Sequence, residues 1–216
     1  MSRTSASAHL DQLAGIFRHD LRNTLTGVSG VADLLREELH GALPDDQQEL
    51  LDLILSSAHE LQDQLDTLAE LIRLDAGTLV LQTEDTPLRD LCLRAAAGLG
   101  AAAHISPCPA AVTVDPKRFE HGLAALFTHI GAQAAHISIT LTGGDVHLTL
   151  PAPGLNDDQR ALLTHGPWNH ADGRPRHSFG TDLHLAWFGA LARTQGGTFT
   201  FPDASELRLT LPGNRS

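Results

Sequence analysis

Between residues 6 and 40 the apolar side chains fall at Leu10, Leu13, Ala14, Phe17, Leu21, Leu25, Val28, Val31, Ala32, Leu35 and Leu39. Steps of three and four draw one stripe along a helix. No proline interrupts the pattern, and at 1.5 Å per residue the helix would run roughly 50 Å. Such a length suits a bundle or coiled coil better than a compact monomer. The stretch His40-Gly41-Ala42-Leu43-Pro44-Asp45-Asp46 then breaks it. Gly41 suits the position after a helix end, and Asp45 or Asp46 suits the next N-cap. A second stripe follows at Leu50, Leu53, Ile54, Ala58, Leu61, Leu65, Leu68 and Ile72, and stops at Asp75-Ala76-Gly77. A short link makes the two helices antiparallel neighbours. Two helices bury one stripe each poorly, so a second copy is expected to complete a four-helix bundle.

Beyond Gly77 the period changes. Thr78-Leu79-Val80-Leu81 reads as a short strand or connector. Thr86-Pro87 is expected to open a helix to about Leu99, with Pro87 at its first position. Ala111–Val114 is a strand candidate, and Pro116 opens a helix expected to reach about Ala134. Residues 136–141 and 146–150 alternate around Gly143-Gly144 and predict a hairpin. Asn156 can cap a short helix to Leu163, residues 164–181 form a loop, and Asp182 to Thr194 is helical. Strands at 198–201 and 206–211 close the chain. The fold class is therefore α+β: a helical hairpin, then helices layered on a hairpin-rich sheet.

Composition narrows the function classes. The net charge of −11 and the single lysine, Lys117, argue against nucleic acid and against a polybasic membrane patch. No apolar run is long enough to span a membrane. Met-Ser-Arg-Thr-Ser-Ala-Ser-Ala lacks the apolar centre of a signal peptide, so a cytoplasmic protein is expected. Cys92 and Cys108 lack metal-ligand spacing and read as reduced structural thiols. The thirteen histidines show no HExxH and no tight ligand cluster, so no metal and no cofactor is expected. Trp168 and Trp187 read as packing residues.

One histidine has chemistry around it. At 100° per residue His19 lies about 160–200° from Phe17 and Leu21, on the outside of the hairpin. Asn23 shares its face and Asp20 lies one step round the helix. A carboxylate that takes the proton of one ring nitrogen leaves the other free as a nucleophile. An amide at Asn23 could orient a water or a phosphoryl oxygen above it. By pattern alone, an exposed helical histidine is ordinarily plain surface.

Arg18-His19-Asp20-Leu21-Arg22-Asn23-Thr24-Leu25-Thr26-Gly27, followed by Ala32-Asp33-Leu34-Leu35, resembles the phosphoacceptor box of bacterial sensor histidine kinases. That box reads roughly His-Glu/Asp-Leu-Arg-Asn/Thr-Pro-Leu-Thr, and only its proline is replaced, by Thr24. Leu71-Ile72-Arg73-Leu74-Asp75-Ala76-Gly77 is similar to the end of the family's second helix. The resemblance implies that residues 1–77 are a dimerisation and phosphotransfer hairpin. It makes His19 the phosphoacceptor, Asp20 the acid or base, and Asn23 the residue used against a regulator's phosphate. Arg22, Thr26, Gly27 and Gly30 would then face a docked receiver domain, small residues allowing close approach.

Residues 78–216 resemble the family's ATP-binding α/β sandwich in shape, with altered nucleotide boxes. Asp115-Pro116-Lys117-Arg118-Phe119 matches the opening Asp-x-x-Arg-Leu. Where the family has Asn-Leu-Leu-x-Asn-Ala, with a magnesium-holding asparagine, this chain has Ala125-Leu126-Phe127-Thr128-His129-Ile130. Asp-x-Gly-x-Gly-Ile, whose aspartate binds adenine, is Leu150-Pro151-Ala152-Pro153-Gly154-Leu155. The phosphate-approaching Gly-x-Gly-Leu-Gly-Leu is Gly180-Thr181-Asp182-Leu183-His184-Leu185, with a negative charge added. His129, His165, His170, His177 and His184 could converge near these positions and hold a metal or other ligand, with packing or surface roles as the default.

The expectation is a histidine phosphotransferase most like the stand-alone phosphotransferases of phosphorelays, with a pseudokinase domain. His19 lies near the start of the sequence, so no sensor segment is expected ahead of it. The implied partners are a second copy, response-regulator receiver domains and an upstream hybrid histidine kinase. The alternatives are a regulator phosphatase, a divergent active kinase, and a non-catalytic dimer that sequesters a regulator.

Overall fold

The computed structural model describes residues 21–37, 43–97, 104–105, 110–131, 136–152, 154–166 and 182–213. The chain separates into two compact units, Met1–Thr78 and Leu79–Ser216.

In the first unit, residues 21–37 are helical (α1) and pair with α2, Asp45–Asp75. The rest of the expected first helix lies outside the described residues, as does Gly41. Pro44, not an aspartate, holds the N-cap position of α2, and no side chain caps it. Asp45 and Asp46 instead occupy the first turn, where their charge favours the helix dipole. At the far end Gly77 takes a left-handed φ of 68°, which only glycine adopts without strain. Two ion-pair contacts fix the register. Arg22 pairs with Asp66, and Arg36 lies 3.8 Å from Asp52. Fourteen residues forward on α1 corresponds to fourteen back on α2, as an antiparallel hairpin requires. Little of the apolar stripe is buried. Ala32, Leu55, Ala58, Ala69, Leu71 and Leu74 are inside, while Leu21, Val28, Val31, Leu35, Leu50, Leu53, Ile54 and Leu61 stay exposed.

The stretch 78–83, which leads from the first unit into the second, is a connector and not a strand. The second unit contains β1 (Glu84–Pro87), α3 (Leu88–Ala97), β2 (His104–Ile105), β3 (Ala111–Val114), α4 (Pro116–Ile130), β4 (His136–Thr142) and β5 (Asp145–Pro151). These are followed by α5 (Asp157–His165), α6 (Leu183–Thr194), β6 (Thr198–Asp203) and β7 (Glu206–Pro212). Pro87 ends a strand and does not begin the helix: β1 pairs antiparallel with β3, Pro87 opposite Ala111. Proline suits that place because it sits at a strand end and has no N–H to offer. The next helix, α4, stops at Ile130, short of the expected Ala134, because Gly131 turns left-handed at φ 65°.

The main sheet runs β2-β4-β5-β7-β6, antiparallel except for the short parallel pair of His104 with His136 and Ile105 with Ile137. The β4–β5 hairpin turns on Gly143 and Gly144, both at positive φ. Alternation is strict on β5 and β7: Val146, Leu148, Leu150, Leu207, Leu209 and Leu211 are buried, and their neighbours are not. That apolar face is covered by the helices, with α6 central. Almost every residue of α6 from Leu183 to Ala192 is buried, as an all-round apolar helix demands. Its crossings are close because they use glycine. A Cβ on Gly122 would stand 2.1 Å from the Phe188 ring, and one on Gly189 would stand 2.7 Å from the Leu163 carbonyl oxygen. The fold is thus a helical hairpin followed by a two-layer α+β unit.

Candidate functional site

His19 and Asp20 lie just before the first described residue. The structure describes the rest of the box from Leu21 onward. Asn23 is exposed on α1, as are Thr26, Gly27 and Gly30. A Cβ built on Gly27 or Gly30 would meet nothing within 4 Å, so packing within the chain does not require glycine there. Gly27 also lines an apolar groove with Thr24, Val28, Val31, Ala32, Leu35, Leu51 and Ile54. Gly27 therefore belongs to the uncovered apolar face as well as to the surface around Asn23.

Arg22 is occupied within the hairpin. Its guanidinium donates to Asp66 on α2, and both side chains are half-exposed. Among the described residues, Arg22 Nε and Asp66 Oδ1 find no partner. This clamp positions the α1 segment that follows His19 and Asp20. Asp66 carried no motif signal in the sequence; only the hairpin register makes it the partner of Arg22.

In the second unit, Asp115 sits at the N-cap of α4 and is 2% exposed. Its carboxylate accepts from Gln82 N at 3.0 Å, Arg118 N at 3.2 Å and Arg118 Nη1 at 2.7 Å. Burial by itself would raise its pKa. The hydrogen bonds from Gln82 and Arg118, with the Arg118 charge, outweigh that and hold it below the ordinary carboxylate range.

Two of the segments that resemble altered nucleotide boxes, those of His129 and Asp182, meet at the start of α6. Asp182 is the N-cap residue but makes no side-chain bond to its own helix. Its Oδ1 instead accepts from Gln159 Nε2 of α5 at 2.9 Å and lies 3.7 Å from His129 Nε2 of α4. The His129 ring is oriented by Nδ1, 2.8 Å from the Ala125 carbonyl, so Nε2 is the atom turned toward Asp182. Both side chains are largely enclosed, at 13% and 22% exposure. Gln159 was legible in the sequence only as the far end of a capping box with Asn156, which it also forms. Leu150 is buried in β5. His165 closes α5 and His184 sits in the first turn of α6, while His170 and His177 lie outside the described residues.

A helix N-terminus attracts anions through unpaired N–H groups and the helix dipole. Here the anion at that place is the protein's own carboxylate. A phosphate brought to the first turn of α6 would meet Asp182 at close range and be repelled.

Among the described residues, no helix is long and apolar enough to cross a membrane. Residues 9–77 match the His Kinase A (phospho-acceptor) domain. The signal transduction histidine-protein kinase AfsQ2 of Streptomyces coelicolor is 26% identical over 205 residues, covering 87% of this chain and 38% of that protein. The histidine protein kinase DivJ of Caulobacter vibrioides is 24% identical, covering 83% of this chain and 32% of its own length. The chain thus spans well under half of these curated relatives. Among solved structures, full-length ShkA in complex with AMPPNP superposes with a TM-score of 0.71 at 18% identity, over 95% of this chain and 46% of ShkA. The histidine kinase AdeS of Acinetobacter baumannii gives 0.57 at 18% identity, over 91% and 98%. The fold is therefore that of the kinase core, a helical hairpin followed by an α/β unit with an antiparallel sheet. Residues 9–77 thus match a phosphoacceptor domain, and most of the chain is similar in sequence to part of several histidine kinases.

Proposed function

We propose that this chain is a histidine phosphotransferase that carries phosphate on His19 between receiver-domain aspartates and does not use ATP itself. The observation that carries the reading is the Asp182 carboxylate at the start of α6, bonded by Gln159 and facing His129. By the family resemblance, His129 stands where an asparagine would hold magnesium and Asp182 where a glycine would admit phosphate. A carboxylate lodged there opposes a polyphosphate by charge and by volume. In this reading residues 1–77 are the dimerisation and phosphotransfer hairpin, and 78–216 form a retained kinase-like domain that serves as scaffold.

The chemistry follows from the box. A His19 ring nitrogen attacks the phosphorus of a receiver's aspartyl phosphate, the N–P bond forms, and the aspartate carboxylate leaves. Asp20 takes or shares the proton on the other ring nitrogen. Asn23 positions the phosphoryl oxygens or a water. The reverse step delivers phosphate to a second receiver. The uncovered apolar groove of α1 and α2 supports a homodimer, in which a second copy covers it. The donor in this scheme is the receiver domain of an upstream hybrid histidine kinase, and the compartment is the cytoplasm.

The competing reading is a divergent active kinase, favoured by the kinases among its relatives. Labelled ATP with magnesium separates the two. The expected result is no label on the purified chain, and acid-labile label on His19 when phosphorylated receiver domains are supplied. His19→Ala should abolish that label. Autophosphorylation from ATP would overturn the proposal. A phosphatase would instead strip receiver phosphate in His19→Ala with no trapped phosphohistidine.

A further inference from the structure

A second pair of histidines is brought together by the packing of α4 on α6. His121 lies in the second turn of α4, and His184 in the first turn of α6. Their ring centroids are 5.5 Å apart with planes at 52°, and candidate ligand nitrogens of the two rings lie within 4.8 Å. Trp187, one turn after His184, sets its ring edge-to-face with His121 at 5.4 Å and 77°. The backbones beneath are held rigidly. Gly122, beside His121, lies against the Phe188 ring with no room for a side chain, and Phe119 stacks edge-on to Phe188 at 5.2 Å. His121 is exposed and His184 half-buried, so the pair opens to solvent. The proposed phosphotransfer uses neither residue.

We propose that His121 and His184 form a bis-imidazole site for a divalent transition-metal ion that clamps α4 to α6. Two imidazoles bound at about 2.0–2.1 Å in tetrahedral geometry put their nitrogens about 3.4 Å apart. A rotamer change at the exposed His121 closes the remaining gap without moving either helix. In doing so the two rings exchange their present contacts for metal bonds. Imidazole nitrogen favours zinc, copper and nickel over magnesium or calcium, and waters complete the coordination. The ion spans two elements that only the folded unit brings together, so binding stabilises the second unit by mass action. The sequence hid this pair: its members lie far apart along the chain and match no ligand spacing.

The test uses the full chain in a Trp168→Phe background, so that Trp187 alone reports. Copper(II) is the probe, because a paramagnetic ion on His121 quenches the indole beside it. The expected result is saturable quenching at one equivalent, reversed by the chelator EDTA. It should be lost in His121→Ala and in His184→Ala. Circular dichroism confirms that each variant is folded. Zinc should raise the melting temperature of the parent chain and leave that of a folded variant unchanged. The other histidines can bind copper weakly, and the two alanine variants separate quenching through them from quenching at His121 and His184. Quenching that persists undiminished in both variants, or no saturable quenching at all, overturns the proposal. If His184→Ala fails to fold, the exposed His121→Ala, together with direct detection of histidine ligation by electron paramagnetic resonance, decides it alone.

Discussion

Removal of the Asp115 carboxylate should unfasten the second unit at a single point. In the native structure that group caps α4, accepts the Gln82 N–H and neutralises Arg118, while being almost wholly buried. Asp115→Ala loses the cap, which costs about 1 kcal/mol. It also takes this acceptor from the Gln82 N–H and one partner from Arg118, about 1–3 kcal/mol more. The total of about 2–4 kcal/mol should lower the urea midpoint by about 1–2 M. Asp115→Asn keeps a side-chain oxygen for the cap and loses mainly the charge, so it should fall between alanine and the parent. Trp187 fluorescence with Trp168→Phe follows this unit separately from the hairpin. The pH dependence has a fixed sign. The folded-state pKa lies below the unfolded value, so the contribution is complete above about pH 3.9 and lost as pH falls through the lower folded value. The difference between parent and Asp115→Asn should therefore shrink below about pH 4. An alanine variant within about 0.5 kcal/mol of the parent, or an asparagine variant no better than alanine, would refute the reasoning.

Four further outcomes can be measured. Gly189→Ala should destabilise the second unit by about 1–3 kcal/mol, because the new methyl meets the backbone of Leu162 and Leu163, which cannot rotate away. Gly30→Ala, facing open space, should stabilise α1 by about 0.5–1 kcal/mol yet slow phosphoryl exchange with a receiver; unchanged exchange would remove Gly30 from the docking surface. Cys92, buried and with its thiol pushed up to about 12 by desolvation, should resist Ellman's reagent at pH 8 in a Cys108→Ser background and react promptly in urea. A double-mutant cycle on Arg22 and Asp66, both half-exposed, should give a coupling of about 0–1 kcal/mol; a value well above that would show a stronger clamp than this exposure permits.

The hairpin was legible in the sequence because its information is periodic. Apolar steps of three and four and the Asp75-Ala76-Gly77 stop needed no tertiary knowledge, and α2 spans Asp45–Asp75 accordingly. The β4–β5 hairpin, the Asn156 cap and the strands through Val146 and Leu207 were legible for the same reason: alternation, turn glycines and caps act locally. The misread boundaries share a different cause. Pro87 looked like a helix start, and pairing with β3 made it a strand end. The end of α4 at Gly131 came from one left-handed residue inside an apolar run.

For the site, the box beginning at His19 is a contiguous motif and stands in the sequence whole. By the family resemblance, the absence of its nucleotide-box asparagine, aspartate and glycine could also be read there. What replaced them could not. That Asp182 turns from its own helix to Gln159 and His129, that Arg22 meets Asp66, and that His121 meets His184 are pairings between distant segments. Side-chain identity and local period determined the elements and the chemistry available on each. Only close packing of those elements decided which groups share a low-dielectric space, because separation in space is set by helix crossings and strand register that no local pattern records.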